Sequence, residues 1–195
     1  MEHATAHEQF AHLRVLIGVV TGLSLTRLLN GLARFVQHPA NERPDPLQLA
    51  WTAFLLLCVL HYWWFEFSLR SMERWSFFAY VFVIGYAALF YFACVVLYPD
   101  RLGEFDSMTD YFESRQKWFY GLLVAVIIAD VGDSALKGPQ RLQNLGPAYF
   151  LRQGVMILLA LTAIGAPGRR LRLAIVAAAL GIEIGWIAWR YAWLA

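Results

Sequence analysis

The sequence predicts an all-α polytopic membrane protein: six transmembrane helices in one bundle. Two observations carry this. Hydrophobic residues make up 59% of the 195 positions and aromatic ones 16%, with a mean hydropathy of +0.50; a soluble domain holds roughly 45–50% apolar residues. The excess is gathered into runs long enough to cross a bilayer. Alternating short strands of the kind a membrane barrel needs do not occur. Residues 1–195 read as a single transmembrane domain. The net charge of +2, without a basic stripe, gives no footprint for nucleic acid.

Residues 1–13 are polar and carry His3, His7 and His12, read as a solvated N-terminus. His3 and His7 could share a helical face toward a metal, but no carboxylate or cysteine completes the set. The first span, 10–36, has no small-residue cleavage motif after it and reads as a retained helix. It contains Arg27, with Asn30 and Arg34 on the same face at i+3 and i+7. An arginine inside a span costs about 2.5–3.5 kcal/mol on insertion scales, so it is expected to face a partner or water.

The proline-rich segment 37–46, which includes His38, is a loop. The second span, 47–70, ends in an aromatic stretch from His61 to Glu66, placed at a membrane interface. Glu66 and Arg70 are spaced to pair along one helix. The third span, 75–98, has no charge and is expected to face lipid. In the loop 99–117, Ser107 and Asp110 resemble a capping box, so an interfacial helix is expected over 107–117, with Tyr111, Phe112, Trp118 and Phe119 setting it at the membrane surface.

The fourth span, 118–137, carries Asp130 and Asp133 and stops at Gly138-Pro139, with Lys137 at its end. Residues 138–147 read as a polar loop. The fifth span, 148–166, has Arg152 near its start. The sixth, 171–194, holds Glu183 and ends in a belt of Trp186, Trp189, Tyr191 and Trp193 with Arg190. Cys58 and Cys94, both in apolar runs, are expected to be reduced core residues.

Lys and Arg divide almost evenly between the two sides. Arg14, Arg70, Arg74, Lys137, Arg141, Arg152 and Arg190 stand against Arg34, Arg43, Arg101, Arg115, Lys117, Arg169, Arg170 and Arg172. The Arg169–Arg172 cluster favours an N-terminus outside, and the even split also suits insertion in both orientations.

Spans one and four share a polar pattern. One offset carries Arg14 onto Lys117, Gly18 onto Gly121, Arg27 onto Asp130, Asn30 onto Asp133, Arg34 onto Lys137 and Pro44 onto Pro147. Three spans per unit would make this an inverted 3+3 repeat, with a binding site at the repeat interface near the midplane. Arg27 would then face Asp130, and Asn30 would lie near Asp133.

The intramembrane polar set is Arg27, Asn30, His61, Glu66, Asp130, Asp133 and Glu183, flanked by Arg34 and Lys137. The leading expectation is a channel or transporter for a small ion or solute, because carboxylates and a histidine within spans are the parts of proton and ion relays. A non-transporting interaction, assembly or sensor protein is the alternative, its charges gluing helices and its 99–117 loop meeting a partner. A redox, lipid-enzyme or quinone-headgroup protein is the third. No catalytic residue, metal site or cofactor is expected. The partners expected are the lipid bilayer and further copies of the chain, and the setting is a bacterial cytoplasmic membrane.

Overall fold

The computed structural model describes residues 6–37, 44–71, 75–99, 103 and 105–191. His3, His38 and the side chain of His7 lie outside the described residues. Six long helices follow in order: α1 (Ala6–Gln37), α2 (Pro46–Phe65), α3 (Phe77–Leu97), α4 (Met108–Leu136), α5 (Pro139–Gly165) and α6 (Arg169–Tyr191). A 3-10 turn, Glu66–Ser71, extends α2. No strand occurs among the described residues. All six helices are long and apolar enough to cross a membrane. Phe77 (83% exposed), Val36 (82%) and Leu151 (70%) lie on the outer surface, where lipid rather than water covers such side chains at no cost. The chain is a multi-pass membrane protein.

Local chemistry sets the helix starts. Asp45 caps α2, its carboxylate accepting from the Leu47 N–H at 2.7 Å. Ser76 caps α3 through the Ala79 N–H, and Ser107 caps α4 through the Asp110 N–H, both at 3.1 Å. Each cap satisfies an amide that the first helical turn leaves without a partner. The Ser107 cap is the one its spacing predicts, but the helix it opens does not stop at the surface. It runs unbroken into the bundle as α4. Tyr111, Phe112 and Phe119 point inward, and only Trp118 of the expected surface group is exposed.

The helices alternate in direction. One end of the bundle gathers the α1 and α3 C-termini with the α2 and α6 N-termini: Arg34 Nη1 donates to the Pro99 carbonyl at 2.6 Å, and Arg169 meets Asp45 at 2.8 Å. We call this the Pro99 end. At the opposite, Tyr191 end, His61 Nε2 lies 3.3 Å from the Tyr191 hydroxyl, and Lys137 reaches Glu66.

Around the bundle α1 packs on α3, α3 on α4, α4 on α5, α5 on α6, α6 on α2 and α2 back on α1, and α2 also touches α3. The third span does face the lipid side, through Phe77, Phe78, Val81 and Phe92, but it is not the outermost helix that its uniform hydrophobicity suggests. It has three helix neighbours, and 39% of its apolar window is buried against 28% for α1, α5 and α6. Hydropathy alone cannot separate a helix covered by lipid from one covered by other apolar helices. The two three-helix halves do not pack alike either, since α4 and α6 make no contact comparable to that of α1 with α3.

The segment expected to be a loop before span five is helical. α5 starts at Pro139 and breaks at Gly146, whose φ of 69° and ψ of −178° suit only glycine. Pro147 then disfavours helical backbone at the residue before it and starts the second half of α5. Both cysteines are free.

At the Pro99 end, Tyr98 is held on several sides. Its hydroxyl meets Thr52 Oγ1 at 2.7 Å, its carbonyl accepts from Arg27 Nη2 at 3.0 Å, and its ring packs edge-on against Phe35. A Cβ at Gly31 would overlap that ring, whereas one at Gly22 meets nothing. Gly31→Ala is expected to destabilise the protein by about 1–3 kcal/mol, with Gly22→Ala neutral or stabilising. Thermal unfolding of both variants in detergent checks this.

Candidate functional site

A cavity of about 80 Å³ lies inside the bundle, bounded by α2, α3, α4, α5 and α6. Its middle and Pro99-side walls are apolar. Trp51 closes it there, its ring 5.4 Å from Phe54, 5.3 Å from Phe119 and 5.5 Å from Tyr120. Its Tyr191-side wall is polar and carries His61, Asp130, Arg152, Gln153 and Glu183.

These side chains form one hydrogen-bonded chain across five helices. Glu183, 1% exposed, accepts from Arg152 Nη2 and meets His61 Nδ1 at 2.8 Å. A neutral imidazole satisfies both its contacts, with Nδ1–H donating to Glu183 and Nε2 accepting from Tyr191. Arg152 Nη1 donates to Gln153 Oε1 at 2.9 Å, and the guanidinium sits 5.4 Å from the centre of the Trp186 ring. Gln153 passes its own N–H to Asp130 Oδ2. Asp130 also accepts from the Tyr149 hydroxyl at 2.8 Å and the Tyr86 hydroxyl at 3.2 Å. Ser134 and Tyr149 share a contact of 3.2 Å. After the break at Gly146, Tyr149, Arg152 and Gln153 face the cavity on consecutive turns of α5.

Beside this chain, toward the Tyr191 end, lies a dry triad. Lys137 Nζ donates to Glu66 Oε1 at 2.9 Å and to Asp133 Oδ2 at 2.5 Å. The lysine side chain is 2% exposed, Glu66 5% and Asp133 0%. Phe65 separates the triad from the cavity. Lys137 Nζ lies 4.7 Å and the Arg141 guanidinium 4.0 Å from its ring centre. Glu66 reaches across to Lys137; its expected pairing with Arg70 falls on a side chain outside the described residues.

The expected facing of Arg27 and Asp130 is not what the fold makes. Arg27 is held at the Tyr98 carbonyl, at the end of α3, whereas Asp130 bonds Tyr86, twelve residues earlier on that helix, a rise of about 18 Å. The reason is direction. Both residues fall in the last third of their helices, and α1 and α4 run oppositely, so their last thirds lie at opposite ends. Asn30 likewise is far from Asp133: it is exposed at the Pro99 end, beside Arg27 and Arg34 in an open pocket of about 230 Å³. His12 is exposed on α1.

The fold thus brings together His61, Asp130 and Glu183, sets Glu66, Asp133 and Lys137 beside them, and leaves Arg27, Asn30 and Arg34 elsewhere. Sequence reasoning missed Arg152 and Gln153 as site members, and with them Tyr86, Tyr149 and Trp186. Arg152 carried the same signal that singled out Arg27, a guanidinium within an apolar run. The aromatic partners carry no signal in a chain where aromatics are everywhere. What the fold and site define is a helical membrane protein with an internal cavity, apolar on one side and charged on the other. Compared with protein-family models, curated proteins and solved structures, the chain has no match.

Lys137→Met leaves two buried carboxylates without their cation and is expected to destabilise by about 3–5 kcal/mol. Adding Glu66→Gln and Asp133→Asn is expected to recover much of that in a thermal-shift assay. Arg27→Ala and Asp130→Asn are expected to act additively within about 0.5 kcal/mol, because the sites are far apart. Coupling well above that in a double-mutant cycle would place them in contact.

Proposed function

We propose that the chain moves a small ion or solute across its membrane, and that the solute seats in the α2–α6 cavity against the Asp130–Gln153–Arg152–Glu183–His61 chain. One observation carries the reading. Trp51 and its aromatic neighbours bound the cavity toward the Pro99 end, and on its polar wall toward the Tyr191 end His61 is 14% and Arg152 12% exposed. A site reached from one side and closed on the other is the geometry of one state of an alternating-access cycle. The same cavity is also lined by three groups able to exchange protons, Asp130, Glu183 and His61. A bacterial cytoplasmic membrane is the setting this reading assumes, and association between copies of the chain is compatible with it.

The Lys137 triad favours the other reading, a non-transporting interaction or assembly protein. It is closed and fully buried, as charges that only bind helices together would be.

Flux decides between them. In liposomes holding the purified chain, movement of protons, alkali cations or small organic ions above that of empty liposomes is expected. Asp130→Asn is expected to cut it by about tenfold or more, the range for losing one well-placed charged group. Wild-type liposomes no leakier than empty ones, across that panel, would leave the interaction reading standing.

A further inference from the structure

Charge around the cavity is unevenly matched. Arg152 is committed to Glu183 and Gln153, and Lys137 to Glu66 and Asp133. Arg141 stacks on Phe65. Asp130 has no cation at all among its hydrogen-bond partners. Its three contacts come from two tyrosine hydroxyls and an amide, all neutral donors. Three donors on two oxygens suit the ionised carboxylate, which only accepts. A half-buried carboxylate with no cation in direct contact with it is costly, and here it stands on a cavity wall where a mobile cation can relieve it.

The neighbouring wall suits a particular kind of cation. Tyr62, Tyr86 and Phe90 line the cavity beside Asp130 and form an aromatic trio. Ring centres lie 4.7 Å apart for Tyr62–Tyr86, 5.2 Å for Tyr62–Phe90 and 5.4 Å for Tyr86–Phe90. Aromatic faces attract cations, most strongly where water is excluded. A metal ion fits poorly. Hard cations want about six oxygen ligands, and no group of three His, Cys, Asp or Glu able to hold a metal occurs among the described residues. An ammonium carried on a short apolar body asks for less: one carboxylate for the charge, aromatic faces for its flanks and an apolar chamber for the rest.

We infer that the cavity binds a small organic cation, an alkylammonium-type molecule, with its charged nitrogen at Asp130 and its apolar part toward Trp51. This rests on the solute-site reading above and names the chemical class that site takes. The volume of about 80 Å³, against about 30 Å³ for one water, limits the body to a few non-hydrogen atoms unless the polar mouth opens further. Arg152 and His61, on the same polar wall as Asp130, disfavour a second positive group on the same molecule.

The test uses three probes of one shape on the full chain in lipid nanodiscs: isobutylammonium, isobutanol and isobutyrate. Binding is read by calorimetry and by protection of Cys58, which lines the cavity, against methyl methanethiosulfonate; Cys94 is buried away from that chamber. Isobutylammonium is expected to bind about tenfold or more tighter than isobutanol, the size of a desolvated cation–aromatic contact, and to slow Cys58 modification. Asp130→Asn is expected to remove that advantage while leaving the weak isobutanol signal in place. Should Asp130→Asn fail to fold, Tyr86→Phe, which removes one donor but keeps the ring, is expected to retain the cation preference, and the wild-type ranking alone still decides the matter.

Isobutanol or isobutyrate binding as tightly as the ammonium, with Cys58 protected, would overturn the cation inference and keep the solute cavity. Unchanged ammonium affinity in folded Asp130→Asn would do the same. No binding by any of the three, with Cys58 modified at one rate throughout, would overturn the inference and the solute-site reading together.

Discussion

A charge inside a hydrocarbon layer has no water to turn to, and that constraint organises the Tyr191 end of this bundle. Four carboxylates, Glu66, Asp130, Asp133 and Glu183, are drawn together there with Lys137 and Arg152. Most connections among them cross between helices; Lys137–Asp133 closes one turn within α4, and Arg152–Gln153 joins neighbours on α5. Removing one cation would strand two carboxylates or one, so the six groups behave as a set whose members hold one another's helices in register. The apolar contacts give the bundle its bulk. The charges decide which rotation of α4, α5 and α6 about their axes is acceptable.

Within that set the two clusters differ in kind. The Lys137 triad is closed: three side chains, almost no exposure, an aromatic lid at Phe65. It resembles a rivet. The Asp130–His61 chain is open: it borders empty space, its outer members keep some exposure, and its inner carboxylate is satisfied by neutral donors alone. Groups that serve only packing have no reason to line a void, because a void forfeits contact energy on one side. The difference between the clusters is the physical ground for seeking function at the second rather than the first.

Much of the architecture was legible in the chain. Six apolar runs set the class, the cap at Ser107 set one helix start, and the paired Gly-Pro at Gly146-Pro147 marked a break. The break was misplaced in meaning. It reads as a loop ending before a span, and it is a kink within a helix, because the polar residues 139–145 keep helical spacing that their composition hides. Similarly, the first part of α4 looks interfacial by its charges, yet its tyrosine and phenylalanines turn inward and carry the helix into the core.

Which charges would enter the membrane region was thus determined by the sequence itself, since a carboxylate or guanidinium in a long apolar run is carried in with its helix whatever the packing. Which of them would meet was decided only by the tertiary structure. Arg27 and Asp130 match in sequence pattern and lie at opposite ends, because antiparallel helices place equal positions on opposite sides. Arg152 and Glu183, with no pattern linking them, are neighbours because α5 packs on α6. Membrane insertion is a property of each segment's own composition, whereas burial and partnership depend on direction, rotation and kink, which no single segment contains.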